Sequence, residues 1–123
     1  MSTLRVNAIT NQAGTTQPAI DGVAKAWVNF NGTSTVAIRG SFNVSSITDN
    51  GTGNFTVNFA TAMTDVNYAV ASSQAYNNNV VSTGNTTNPP INNNFATGSF
   101  RYSTPNSGGT VLDSVYNYVA VFR

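Results

Sequence analysis

Hydrophobic and polar residues alternate along most of the chain after residue 23. The clearest case is residues 54–59, where Phe55, Val57 and Phe59 fall on one side and Asn or Thr residues on the other. This period of two is typical of a half-buried β-strand. Similar runs lie at 24–30, 35–46, 66–76, 95–102 and 110–123, and no helical period extends over a useful length. The pattern predicts an all-β fold, an antiparallel β-sandwich or open barrel of about six to eight strands.

Turn residues divide these runs. Asp49-Asn50-Gly51 separates two strand patterns and predicts a hairpin, because Asn and Gly accept the positive φ of a tight reversal. Gly40 interrupts the run 35–46 and predicts a bulge or bend in one long strand. Residues 77–94, rich in Asn and containing Pro-Pro, are expected to form a long irregular loop.

The last strand pattern is apolar on both of its faces. One face carries Tyr116, Tyr118 and Phe122, and the other carries Val115, Val119 and Val121. A strand of this kind is expected to be covered on both sides, either at the centre of a sandwich or against another subunit.

Residues 1–22 differ from the rest of the chain in their content of large apolar residues. Their large apolar residues are few (Leu4, Val6, Ile9 and Ile20), so the segment cannot bury enough surface to order itself. We expect an extended N-terminal attachment arm at 1–22 and a sandwich domain at 23–123, with a frayed terminus as the alternative for the arm. The first residues lack the apolar core of a secretory signal, so no export signal is expected.

Composition narrows the classes of function. Charged residues are 7% of the 123 residues, against roughly 25% in a typical globular chain. The net charge of +1 gives little repulsion between copies, which permits self-association. The five basic residues are scattered, so no nucleic-acid partner is expected, and no apolar stretch is long enough for membrane insertion.

Catalytic chemistry has few residues to use. The chain contains no His, no Glu and no Cys, which removes most nucleophilic triads and metal sites. Four Asp residues remain, and a calcium site at 49–53 has too few carboxylates to be favoured. We therefore expect no enzymatic activity, no cofactor and no metal.

Binding through loops on a rigid scaffold remains, because amides and hydroxyls suit sugar hydroxyls and aromatic rings supply stacking faces. A solvated connector is the competing interpretation of the long loop. The candidate receptor-binding residues are Tyr76, Asn77, Asn78, Asn93, Asn94 and Phe95 around that loop, with Tyr102 and Asn106 near the following turn. The candidate attachment or oligomer residues are Leu4, Val6, Ile9, Trp27, Tyr116, Tyr118 and Phe122, with Trp27 favoured as a core or interface anchor over a ligand-stacking role.

Residues 26–70 resemble the distal domain of phage tail fibre proteins, including those of cyanobacterial and marine phages. The resemblance rests on the block from Trp27 to Gly32 and on the hairpin SSITDNGTG, and residues 3–22 resemble the linker that joins fibre shaft to fibre tip. It implies a homotrimeric virion component that contacts other tail or baseplate proteins through residues 1–22 and the host surface at its other end. Because the sequence is short for such a protein, we expect a compact fibre or a fragment of one.

Three functions follow as expectations. The first is a virion tail fibre tip that binds a host surface glycan or an outer-membrane receptor. The second is a capsid decoration protein or another structural virion trimer without receptor binding. The third is a carbohydrate-binding module detached from any enzyme.

Overall fold

Two antiparallel sheets pack face to face in the computed structural model, which describes residues 2–3, 22–76, 79–82, 95–106 and 108–123. Within these ranges every regular element is a strand. The predicted all-β sandwich is confirmed, and the described part of the chain has nine strands. They are β1 (Ala24–Asn31), β2 (Ala37–Phe42), β3 (Val44–Asp49), β4 (Asn54–Phe59), β5 (Ala69–Tyr76), β6 (Asn79–Ser82), β7 (Phe95–Ala96), β8 (Ser99–Ser103) and β9 (Tyr116–Phe122).

One sheet has five strands in the order β2-β1-β9-β5-β6, and the other has four in the order β3-β4-β8-β7. Alternate residues of both sheets point into the space between them and form the core. Phe30 of one sheet meets Phe55 of the other edge to face, with ring centroids 5.2 Å apart. The buried apolar residues are Ala26, Val28, Phe30, Phe55, Val57, Phe59, Met63, Tyr68, Phe100, Tyr102, Val119 and Val121.

The chain changes sheets at Asn43, between β2 and β3. Asn43 has a φ of 53°, a left-handed conformation that Asn tolerates better than most residues. Its side-chain amide donates to the carbonyls of Lys25 and Thr61, and its side-chain oxygen accepts from the Thr61 amide. The segment 35–46 is therefore two strands in different sheets, and the prediction of one long strand is wrong.

Gly40 does lie beside the predicted bulge. Asn29 pairs with Gly40 and Phe30 pairs with Ile38, which leaves Arg39 as the extra residue. The bulge shifts the register within β2, while the change of direction comes three residues later at Asn43. The pattern 95–102 also divides in two, because the chain turns at 97–98 and β7 pairs back onto β8.

The two ends of the sandwich differ in what they carry. Ala24, at the start of β1, pairs with Phe122, at the end of β9. We call this the terminal end. The opposite end, here the loop end, holds residues 32–36, 50–53 and 104–115, which hydrogen-bond to one another. The Gly32 amide donates to the Ser114 carbonyl, and the Gly53 amide donates to the Asp113 carboxylate at 2.7 Å.

Candidate functional site

Five large aromatic residues share the outer face of the five-stranded sheet. Each exposes between 37% and 48% of its surface. We call this set the aromatic face. It consists of Trp27, Phe42, Tyr116, Tyr118 and Phe122.

Trp27 lies near the middle of this face. Its backbone pairs with Phe42 on one side and with Ala120 on the other. A Cβ atom added to Gly40 would lie 3.4 Å from the indole, so the ring rests against the backbone of β2 where a side chain is missing. Trp27 is consequently a surface anchor of the described chain rather than a core residue, and it is 43% exposed.

Tyr116 and Tyr118 form a ridge along β9. Their rings are stacked, with centroids 6.2 Å apart and planes 10° from parallel. The guanidinium of Arg39 lies 4.4 Å from the centroid of the Tyr116 ring, a cation–π contact, and its Nη1 donates to Asn29 Oδ1 at 3.5 Å. These contacts hold the ridge in one arrangement before any partner binds.

Such a surface is suited to protein association. Trp, Tyr and Arg are the residues most enriched among the energetically dominant contacts of interfaces. The exposed parts of the five rings amount to roughly 400 Å², within the range of the largest apolar patches on monomeric proteins and about half of one partner's share of a standard interface. The structure brings together Trp27, Tyr116, Tyr118 and Phe122, four of the candidate attachment or oligomer residues, and their role in attachment or assembly stays a prediction.

Phe42 is the member of the aromatic face that the sequence interpretation missed. Its alternation with Val44 fitted the prediction of one long strand with a bulge or bend at Gly40, which assigned Phe42 no role. Because the chain changes sheets at Asn43, Phe42 faces outward and is 48% exposed. The signal that could have located it is the Asn itself, which accepts a positive φ between two strand patterns.

The candidate receptor residue Tyr102 does not lie at the surface. It is 1% exposed, packs edge to face against Phe30, and its hydroxyl donates to the Ser73 carbonyl at 3.5 Å. The expectation that Tyr102 contacts a receptor is therefore corrected. Tyr102 alternates with Phe100 along β8, so the same pattern that predicted the strand also placed both residues inward.

Asn106 lies at the loop end and organises its own loop. Its side-chain oxygen accepts from the amides of Gly108 and Thr110, both at 2.9 Å. The Pro105–Val111 bridge closes the same loop. Asn106 is thus built into the loop scaffold, with no hydrogen bond from its side-chain NH₂ group in the described contacts.

Tyr76 and Phe95 are not brought together. Tyr76 is the last residue of β5, at the loop end. Phe95 packs against Tyr68, which precedes the other end of β5, at a centroid distance of 5.3 Å. The two residues therefore lie towards opposite ends of the sandwich. The other candidates, Leu4, Val6, Ile9, Asn77, Asn78, Asn93 and Asn94, lie outside the described residues, and their roles stay predictions.

Three ionisable groups of the described chain, Asp65, Arg123 and Tyr68, have pKa values moved by their surroundings. Arg123 forms a salt bridge with Asp65 at 2.6 Å, and this bond together with the Asn67 amide lowers the pKa of Asp65 to about 2. Burial raises the pKa of Tyr68 to about 12. The Tyr68 hydroxyl donates to the carbonyls of Ala96 and Ser99. At the terminal end, the Tyr68 bonds join the start of β5 to the four-stranded sheet, and the Asp65–Arg123 pair joins the connector between β4 and β5 to the end of β9.

Two features are absent from the described ranges of the chain, a cluster of metal ligands and a membrane-spanning helix. No group of three or more acidic, His or Cys side chains there could hold a metal ion. No helix there is long and apolar enough to cross a membrane.

Comparison of the chain with protein-family models, with curated proteins and with solved structures gives no match.

Proposed function

We propose that this chain is a virion structural protein, the tip of a phage tail fibre, which assembles as a homotrimer and attaches the particle to a host-cell surface. The observation that carries the proposal is the aromatic face, because five half-exposed aromatic rings on one sheet call for a partner surface. The resemblance of residues 26–70 to fibre tips supplies the class of assembly. In this proposal the partner on the aromatic face is another copy of the chain.

Charge supports self-association on this face. On the outward sides of β1 and β2 the charged residues are Lys25 and Arg39; neither is without a partner, and the Arg39 guanidinium is already engaged by Tyr116 and Asn29. Bringing copies together therefore requires little desolvation of unpaired charge, which is the main electrostatic cost of burying polar surface. A closed ring of copies would cover the aromatic face of each.

The positions of the two ends of the sandwich support attachment to the virion at one end and receptor binding at the other. β1 begins at the terminal end, so the arm 1–22 precedes that end of the domain. The loop end lies farthest from it and exposes amides and hydroxyls that can bind a surface glycan or an outer-membrane receptor. Localisation in the virion tail, with the arm contacting tail or baseplate proteins, completes the proposal.

The first test is assembly and location. Light scattering of the purified chain should give three times the mass of the 12.9 kDa chain. Gold-labelled antibody against the chain should decorate the ends of tail fibres, and the purified trimer should bind host cells and compete with virion adsorption. A monomer at assay concentration, or labelling of the capsid alone, would contradict the tail-fibre assignment.

A capsid decoration protein is the second candidate, and the aromatic face also favours it, because that face supports cohesion with or without a receptor. The two candidates differ in where the label appears and in whether host cells bind the purified trimer. A chain that is monomeric and still binds a glycan array would instead support the detached carbohydrate-binding module.

A further inference from the structure

Two buried amide side chains face each other beneath the loop end. Gln74 of β5 pairs directly with Asn117 of β9, and the two residues are 2% and 0% exposed. Directly opposite residues of antiparallel strands point to the same side of their sheet with their Cβ atoms roughly 5 Å apart. Both side chains therefore share one pocket of the sandwich interior.

The nitrogen atoms of both amides are engaged, which fixes their orientation. Asn117 Nδ2 donates to the Ser114 carbonyl at 2.9 Å and to the Phe30 carbonyl at 3.4 Å. Gln74 Nε2 donates to the carbonyl of Pro105. Rotating either amide by 180° would place its oxygen against a carbonyl oxygen, so the assignment of O and N follows from the hydrogen bonds.

The oxygen atoms of both amides are left over. Neither Gln74 Oε1 nor Asn117 Oδ1 has a donor among the described residues. The neighbouring hydroxyls cannot supply one without breaking existing bonds, because Thr104 donates to the Leu112 carbonyl and Ser114 donates to the Ala75 carbonyl. Two adjacent buried acceptors without donors are unusual in folded proteins, where such groups are paired with protein or with ordered water.

We propose that Gln74 Oε1 and Asn117 Oδ1 bind one internal water molecule, which donates one proton to each. A water carries the two donors that the two oxygens need, and folded chains hold about one buried water per 27 residues at sites of this kind. A metal cation fits less well, because hard cations take six or more oxygen ligands, commonly including carboxylates. The site offers two neutral amide oxygens, and the Ser114 and Pro105 carbonyls beside it already accept hydrogen bonds.

The position of this water gives it a structural role. The amides that would bind it also hold Ser114 and Pro105 of the loop 104–115 and Phe30 at the end of β1. The water would complete a polar layer that joins β1, β5 and β9 to the loops above them. This inference stands independently of the proposed function.

The test uses the full chain in solution, with water itself as the probe. In a ¹⁵N-labelled sample, the side-chain NH₂ protons of Gln74 and Asn117 should show cross-relaxation peaks to water, with opposite signs in the laboratory and rotating frames, as expected for a long-lived internal water. Absence of these peaks would overturn the proposal. This measurement needs no variant and is not affected by a failure to fold.

Two further experiments test what occupies the site between the two oxygens. In Gln74→Met, which removes one of the two acceptors, the water peak at Asn117 should lose most of its intensity, whereas Ser73→Ala, on the outward side of the same strand, should leave it unchanged. An unaltered peak in Gln74→Met would exclude the bridging site. A crystal soaked in thallium, a potassium mimic, should show no anomalous peak between the two oxygens. Such a peak would mean that a monovalent cation occupies the site, and it would overturn the proposal of a water.

Discussion

The two outer faces of this sandwich are built on the same strand alternation but carry different chemistry. The five-stranded sheet presents the aromatic face to the outside. The four-stranded sheet presents hydroxyls, amides and one guanidinium, and we call this the polar face. Its residues are Ser46, Thr48, Thr56, Asn58 and Arg101.

Several hydroxyl and amide groups of the polar face hydrogen-bond to one another, whereas the buried Nε of Arg101 has no hydrogen-bond partner there. Asn58 Nδ2 donates to Ser46 Oγ at 3.1 Å and to Thr48 Oγ1 at 3.0 Å, and Asn50 Nδ2 donates to Thr56 Oγ1 at 2.8 Å. Water can satisfy the remaining lone pairs. The aromatic face has no comparable means of satisfying its exposed rings. The comparison teaches that the four-stranded sheet pairs several polar groups of its outer face within one chain, whereas the five-stranded sheet leaves its aromatic rings exposed, and we propose that association covers them.

The largest expected effect is on assembly. Tyr118→Asp places a charge at the centre of the aromatic face and should weaken self-association by roughly thirtyfold or more, the loss typical of an interface hot spot. The matched control is Thr56→Asp on the polar face, which should leave the assembly intact. Sedimentation of both variants over a concentration series measures the difference. Equal behaviour of the two would break the distinction between the faces.

The next effect tests whether the two sheets form one body. Tyr68 precedes β5 of one sheet and donates to the carbonyls of Ala96 and Ser99 in the other. Tyr68→Phe leaves these carbonyls without that donor and should lower the free energy of unfolding by about 1–3 kcal/mol in urea titrations.

The Tyr68 contact also predicts alkaline sensitivity. The phenol ionises near pH 10 in an unfolded chain and at about 12 in the folded one. The folded state therefore holds the phenol proton more tightly than the unfolded chain does. The stability that this difference gives is complete below pH 10 and is lost as the pH rises towards 12. The slope should be smaller in Tyr68→Phe. An identical slope in both proteins would show that burial does not raise the pKa of Tyr68 in this way.

A smaller effect is expected from the polar face. Asn58→Ala removes the three hydrogen bonds that Nδ2 donates to Ser46 O, Ser46 Oγ and Thr48 Oγ1 and should cost about 0.5–1.5 kcal/mol of stability. It should not change the dissociation constant of the assembly. Thermal unfolding at one concentration and sedimentation at several concentrations separate these outcomes. A change in assembly would mean that the polar face also meets a partner.

The smallest effect concerns the exposed Asp65–Arg123 pair, which joins the connector between β4 and β5 to the end of β9. The pKa of Asp65 is about 2 in the folded chain against an ordinary value of 3.8, so the pair stabilises the folded state fully above pH 3.8. That contribution is lost as the pH falls towards 2. Asp65→Asn should flatten this part of the acid unfolding curve, and added salt should shrink the difference between the proteins.

Much of the fold could be predicted from the sequence because alternation is a local property. The hairpin at Asp49, the strand 54–59 and the two apolar faces of β9 needed only neighbouring residues to be recognised. The same alternation grouped Trp27 with the tyrosines of β9 only as candidate interface residues. Their adjacency depends on the pairing of β1 with β9, which joins residues more than 80 positions apart.

The rest depended on contacts that no local pattern encodes. Asn43 reverses the chain because carbonyls of Lys25 and Thr61 are available to its side chain. Position 32 accepts only glycine, because Phe55 and Asn117 leave no room for a Cβ. The contacts that require such residues come from positions 18 or more away in the sequence. A single sequence therefore indicates a turn at these residues but not the groups that they contact.

The place of β1 between β2 and β9 determines how the domain would carry a mechanical load. If the particle pulls on the chain before Ala24 while a receptor holds the loop end, the force runs along β1 and strains both of its hydrogen-bond ladders in shear. Many bonds then bear tension together instead of opening one after another. Rupture under force follows the unfolding rate rather than the equilibrium stability, so a domain of ordinary stability can still make a durable tether.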